Sequence, residues 1–265
     1  MKQLIFLCST VMLLSMTCND DEADMNDMTG DDCRLVKRSF DIPNDPAREE
    51  AIYSYDNQER LTGITVTSYD RDPLPYITRT SITYNGNNLE ELNTYSTFMS
   101  DPEERNFQYQ FFYENGELDS IKLDGYNAFE NTDSYMLLEF SSGQLSQMQT
   151  YFYNATSMSY ELSGTTNYTW DQNNLVQSQT ISATGSMSST TYTYDNMNKA
   201  AGTEALAYSM DVSLLSENNV TSIVRTTEFG SNAENYIYTY NSMGYPATST
   251  QGNQYPLYEY EYECN

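Results

Sequence analysis

The sequence predicts an all-β protein, a long antiparallel meander of repeated hairpins forming one twisted or curled sheet with a solenoid- or barrel-like wrap. Three observations carry this. An aromatic residue stands before a polar turn every 24 to 30 residues, at Tyr55, Tyr84, Tyr113, Phe140, Trp170 and Tyr194, and again after a gap of 46 at Tyr240. Tyrosines alternate at period two, as in Tyr192/Tyr194, Tyr236/Tyr238/Tyr240 and Tyr258/Tyr260/Tyr262, which puts each set on one face of a strand. Composition agrees, with aromatics at 14% against only 19% charged residues, too apolar in its aromatic content for a disordered chain.

Each anchor aromatic is followed by a turn-forming pair, among them Asp56-Asn57, Asn85-Gly86, Asp171-Gln172, Asp195-Asn196 and Asn241-Ser242. Asn, Asp and Gly tolerate positive φ, and Asx side chains bond their own backbone in turns. An apolar residue then opens the returning strand, at Leu61, Leu89, Leu118, Leu145, Leu175, Ala200 and Val220. Leu215 falls inside the long gap and is read as a hidden, eighth anchor. Self-similarity at this period marks a repeat architecture. A lone hairpin is marginal in water, so the units must pair with one another. Seven or eight units give 14–16 strands, and twist accumulated over that many strands argues against a flat sheet.

Residues 1–17 read as a targeting segment, with Lys2 at its start and an apolar run from Leu4 to Leu14. That run is too short for a bilayer span of about 20 residues. Leu14-Ser-Met-Thr-Cys18 resembles a relaxed lipobox, which implies lipidation at Cys18 and a mature N-terminus there; Met16 and Thr17 stand where a small residue is usual. Residues 18–32 form an acidic tether, and Asn19-Asp-Asp-Glu22 resembles the export signal that carries such lipoproteins to the outer face of the outer membrane. Asp24 to Asp32 lacks the ligand order and closing Glu of a calcium loop, so no metal is expected there. Residues 33–265 are the repeat domain. Residues 154–167 and 182–190, rich in Ser, Thr, Gly and Met, read as exposed strands or connectors, and residues 200–215 as the least repeat-like stretch, with Ala200 to Met210 open to a short helix.

Tyr53-Ser-Tyr-Asp-Asn-Gln-Glu-Arg-Leu-Thr-Gly-Ile64 resembles the YD repeat of Rhs-type proteins, and Tyr192-Thr-Tyr-Asp-Asn196 and Tyr238-Thr-Tyr-Asn-Ser-Met-Gly244 are weaker copies. In lipid-anchored form the chain is similar to uncharacterised YD-repeat lipoproteins of Bacteroidota. The resemblance implies stacked hairpins over about residues 35–262 and carries no activity with it.

The formal net charge is −26, with 12 Lys and Arg against 38 Asp and Glu. That disfavours nucleic acid, anionic lipid and acidic glycans as partners. No histidine is present. Ser-His-Asp and Cys-His nucleophiles and His-ligated zinc are therefore excluded, and no cofactor is expected. Cys33 and Cys264 open and close the body. In an exported chain they form a disulfide if the sheet brings its ends together, and remain thiols if the sheet is open; the bridge is the preferred reading, since nothing else explains why only these two are present.

Several residues carry two readings. The Asp and Asn residues after the anchors serve the turn, with catalysis or calcium as the lesser alternative. Trp170, the only Trp, packs in the core or offers a stacking platform for a sugar ligand. Met187, Met197, Met210 and Met243 fill gaps in the packing. Asp119-Ser120-Ile121 resembles a short bacterial O-glycan acceptor. The chain is thus expected to be a non-catalytic, cell-surface binding or adhesion module, with glycan as ligand. The alternative is a structural partner of another envelope protein, docking through loops or an exposed strand edge. A carboxylate-based glycoside hydrolase is the third reading; 38 acidic residues make chance pairs inevitable.

Overall fold

The computed structural model describes residues 33–41, 47–69, 75–98, 104–125, 133–199, 212–252 and 254–264. Lipidation at Cys18, the signal segment 1–17, the tether 18–32, Met210 and the stretch 200–210 fall outside them. The described chain forms sixteen strands. They are β1 (Cys33–Asp41), β2 (Arg48–Tyr55), β3 (Leu61–Tyr69), β4 (Tyr76–Asn85), β5 (Asn88–Phe98), β6 (Glu104–Glu114), β7 (Glu117–Gly125) and β8 (Ser134–Ser141) in the first half. The second half holds β9 (Gln144–Asn154), β10 (Ser159–Asp171), β11 (Asn174–Ser182), β12 (Met187–Tyr194), β13 (Val220–Thr227), β14 (Gly230–Tyr240), β15 (Pro246–Gln251) and β16 (Gln254–Cys264). Every strand pairs antiparallel with the next, and β1 pairs with β16, so the meander closes into a barrel.

The turns that follow the anchors line one rim, all of them short except the connection from β12 to β13, and the remaining connections line the other. At the turn rim, Asn115 and Gly116 have φ of 53° and 88°, and Ser142 and Gly143 have 54° and 79°. Two successive positive φ values give the primed turn whose twist matches a hairpin's strands. The Asx side chains do what the turn needs. Asp56 accepts the backbone N–H groups of Gln58 (2.8 Å) and Arg60 (3.0 Å), and Asn241 accepts those of Met243 and Tyr245, both at 3.0 Å.

At all seven anchors the register shifts, between Ser54 and Tyr55, Thr83 and Tyr84, Phe112 and Tyr113, Glu139 and Phe140, Thr169 and Trp170, Thr193 and Tyr194, and Thr239 and Tyr240. Tyr55 faces Leu61 while Ser54 faces Gly63, leaving Thr62 as the extra residue. The bulge makes Leu61 and Ile64, three apart, both buried. Leu89 and Leu92 repeat the pattern. A bulge bends its strand and raises the local twist, so seven of them along one rim supply curvature for closure.

The buried apolar side chains point inward and gather at the turn end. One cluster joins Ala51, Leu61, Ile64, Val66, Ile82, Leu89 and Leu92 beneath the rings of Tyr53, Tyr55, Tyr84, Tyr109 and Phe111. The second joins Leu145, Leu175 and Val212 with Leu138, Phe140, Tyr168, Trp170, Tyr192 and Leu215. Val212–Leu215 is a 3-10 turn inserted between β12 and β13. Leu215 is therefore a plug residue of that connection and no anchor. The returning residue for Tyr194 is Val220, its register partner, in place of the expected Ala200. The long gap is one unit with an insertion, because Tyr194 and Val220 still meet across β12 and β13.

Candidate functional site on the inner wall

The anchors do more than fill space. The Tyr55 hydroxyl donates to the Leu35 carbonyl (2.7 Å), Tyr84 to Leu61 (2.9 Å), Tyr194 to Leu175 (2.7 Å) and Tyr238 to Val220 (3.0 Å). Trp170 does the same with its indole N–H, to the Leu145 carbonyl at 2.8 Å. For Tyr84, Trp170 and Tyr194 the acceptor opens the return strand of the unit before; Tyr55 reaches Leu35 in β1, and in β14 it is Tyr238, two residues before the anchor Tyr240, that reaches Val220. A bulge takes backbone groups out of the regular ladder, and the next anchor satisfies one of them. Tyr113 is aimed at the Leu89 carbonyl without closing a hydrogen bond, and burial pushes its hydroxyl up to about 12. Phe140 has no donor. Tyr240 turns instead to the Asp195 carboxylate, which Asn219 and the Met197 N–H also engage.

This places Trp170 in the repeat's own architecture, packed against Leu145 and Leu175. It is not a free stacking platform. Ser120 is only 2% exposed, set between Phe112 and Leu137 in register, so the acceptor pattern around it is closed to a modifying enzyme in the folded barrel. Asp56 is held below the usual carboxylate range, first by its hydrogen bond with Arg60. Arg60 in turn lies over the Tyr84 ring at 4.4 Å. Met187 and Met243 are exposed, so neither fills a gap; Met243 instead sets its sulfur 3.7 Å from Cys33 Sγ. Cys33 and Cys264 are directly opposite across β1 and β16 and are joined by a disulfide, their Cα atoms 4.1 Å apart. Among the described residues no group of three or more acidic or Cys side chains could hold a metal, and no helix is long and apolar enough to cross a membrane.

Away from the turn rim the inner wall changes chemistry. Register carries inward alternation from Tyr55 and Tyr53 to Ala51 and Glu49 on β2, and from Tyr262 and Tyr260 to Tyr258 on β16. Arg38 on β1 faces Ala51 and Tyr260, and Phe40 faces Glu49 and Tyr258. Arg38 Nη2 donates to Glu49 Oε1 at 3.0 Å, and the Ser68 hydroxyl donates to Glu49 Oε2 at 3.2 Å. Phe40 and Tyr258 stack with centroids 5.3 Å apart, and the Arg38 guanidinium lies 5.4 Å from the Tyr258 ring centre. Tyr260 and Ser249 share a hydroxyl hydrogen bond of 2.8 Å. Beyond β15, on β14 and β13, Arg225 pairs with Glu234, to which the Tyr236 hydroxyl also donates at 3.0 Å. Burial and that carboxylate push Tyr236 up to about 12.

Sequence reasoning missed this inner-wall cluster. Its signal was present: Arg38, Glu49, Arg225 and Glu234 are charged positions in strands that otherwise alternate with aromatic or aliphatic residues.

No protein-family model matches the chain, and no curated protein does. Two solved structures share its architecture. A porin-like protein from Bacteroides uniformis is 12% identical with a TM-score of 0.56, over 86% of this chain and 98% of that one. A porin-like protein from Bacteroides vulgatus is 13% identical with a TM-score of 0.56, over 88% of this chain and 99% of that one. At such identity the likeness shows a shared fold and nothing further, and in this chain that fold is an antiparallel sixteen-stranded closed barrel.

Proposed function

We propose that the chain is a non-catalytic binding module of the outer membrane, a YD-repeat lipoprotein tethered by a lipid on Cys18, whose barrel stands in water at the cell surface. The observation that carries this reading is the chemistry of the outer wall. Outward positions on β16, β1 and β2 hold Glu259, Glu261, Glu263, Arg34, Lys37 and Glu50, tied by ion pairs such as Lys37–Glu50 at 2.8 Å. Those on β9 to β11 include Gln147, Gln149, Asn167, Gln177 and Gln179. A membrane-spanning barrel needs the reverse, an outward apolar band about 25 Å tall with a polar interior. Here the two apolar clusters face in, and apolar side chains on the outward face, such as Ile52, Phe112 and Ile237, stand singly opposite polar partners, Lys37, Ser120 and Thr250.

The chain enters the barrel at Cys33, on the turn rim. A tether joined there puts the turn rim toward the membrane and the opposite rim toward the surroundings. The ligand we favour is a glycan reaching the inner wall from that outer rim. Apolar side chains on the same rim favour a second reading, an envelope protein as partner: Met158 is 80% exposed and Phe229 is 91% exposed. Docking by strand addition is not part of either reading, because β1 and β16 pair and no described strand is left as an edge.

Replacing residues 1–18 with a cleavable, non-lipidated secretory leader tests the placement. The protein is expected in the soluble fraction without detergent. Retention in washed membranes would show that the barrel itself is embedded and would end this reading.

A further inference from the structure

We propose that the inner wall around Arg38, Phe40, Glu49 and Tyr258 is a binding site for a neutral saccharide, continuing past Tyr236 to Arg225 and Glu234. This rests on the reading of the chain as a binding module. Its basis is the placement of two charge forks and a set of rings on one stretch of the inner wall.

Arg38 and Glu49 sit where the alternation puts side chains inside the barrel, yet both keep water contact, with side chains 31% and 30% exposed. A buried fork that served only stability would be a poor device, since desolvation offsets most of its Coulomb gain. Its hydrogen bonding is also incomplete. Among the described residues, the Arg38 guanidinium makes one hydrogen bond, from Nη2 to Glu49. A guanidinium offers five N–H donors in one plane. Glu49 uses each oxygen once, for Arg38 and for Ser68, and each oxygen has a further lone pair. The pair therefore presents donors and acceptors side by side.

Vicinal hydroxyls of a sugar each donate and accept, and match such a pair. The opposite face of a pyranose is a set of C–H groups, which stacks on aromatic rings. Phe40 and Tyr258 supply that surface, two rings inclined by 32° beside the fork. A few placed polar groups against aromatic walls are the usual make-up of a small-molecule site. The second fork, Arg225 with Glu234, again stands beside a tyrosine, Tyr236; β15 alone separates its strand from that of Tyr258, Ser249 facing Tyr238 on one side and Tyr258 on the other. Two forks, each with its own ring surface and set on strands β1–β2 and β13–β14 of one wall, suit several linked sugar units better than one.

Charge selects a neutral occupant. Each fork sums to zero, so neither attracts an ion of either sign. The chain's net charge of −26 repels uronate- or sulfate-bearing polymers.

The test is affinity electrophoresis and isothermal titration of the purified, delipidated full-length body with neutral glucan, mannan and galactan, and with polygalacturonate. At least one neutral polymer is expected to bind. Arg38→Gln and Arg225→Gln are each expected to weaken it at least ten-fold. Glu50→Gln, on the outer wall, is expected to leave it unchanged, and unfolding midpoints identify any variant that fails to fold. If Arg38→Gln does not fold, Arg38→Lys keeps the charge, loses the planar fork, and is read in its place. Neutral polymer bound equally by all variants would overturn this site and spare the binding-module reading. Binding to polygalacturonate alone, or to none of the four polymers, would overturn the saccharide assignment.

Discussion

Tyr84 shows what one side chain contributes here. Its ring closes the apolar cluster, its face receives the Arg60 guanidinium, and its hydroxyl satisfies the Leu61 carbonyl of the unit before. Tyr84→Phe keeps the ring and leaves that half-buried carbonyl without its donor. The expected cost is about 1–3 kcal/mol, read as a lower urea midpoint. Phe140 is the reverse case. It occupies an anchor and has no hydroxyl, so Phe140→Tyr is expected to stabilise the barrel by about 0.5–1.5 kcal/mol through a bond to the Leu118 carbonyl. A destabilised Phe140→Tyr would mean the geometry of the other units does not extend to this one. The recurrence of aromatics was plain in the sequence, but the bond was not. Donor and acceptor lie 18 to 25 residues apart in different units, and no local pattern pairs them.

At the scale of the hairpin, the decisive feature is the extra residue after each anchor. In β3 it is Thr62, and it carries inward orientation from Leu61 to Ile64. Deleting Thr62 restores strict period two and turns Ile64 and Val66 outward, since a one-residue slip exchanges the faces of a strand. Each buried aliphatic so lost is worth about 2–5 kcal/mol, enough to unfold most domains. The deletion is expected to abolish the cooperative urea transition, whereas Thr62→Ser is expected to shift it by no more than about 0.5 kcal/mol. A deletion variant that melts like the parent would show that the bulge is dispensable. Tyr258, Tyr260 and Tyr262 were easy to place because β16 keeps alternation over that run. Leu61 and Ile64 were harder, because a spacing of three belongs to neither a plain strand nor a continuous helical face.

For the whole molecule, closure is the governing event. β1 and β16 meet in register from Cys33–Cys264 to Asp41–Leu257. The disulfide joins residues 231 apart in sequence, so it removes a large share of the unfolded chain's freedom. Cys33→Ser with Cys264→Ser is expected to cost about 2–5 kcal/mol and to leave the fold intact, because the ladder, the Phe40–Tyr258 stack and the flanking ion pairs remain. Urea unfolding with and without reductant measures it; an unchanged midpoint on reduction would show that the ladder alone closes the barrel.

What the sequence determined by itself is the local grammar. Hairpins, turns and inward-facing tyrosines follow from side-chain period and φ preference, both of which act within a few residues. The absence of histidine likewise bounded the chemistry without any fold. The tertiary structure decided the rest. Whether sixteen strands curl until first meets last depends on twist summed over every bulge, a quantity no single segment carries. The same summation brought Arg38 opposite Tyr260, set Glu49 and Tyr258 on either side of Phe40, and put Trp170 inside. It also showed Leu215 to be a plug, since only the pairing of Tyr194 with Val220 reveals the intervening stretch as an insertion.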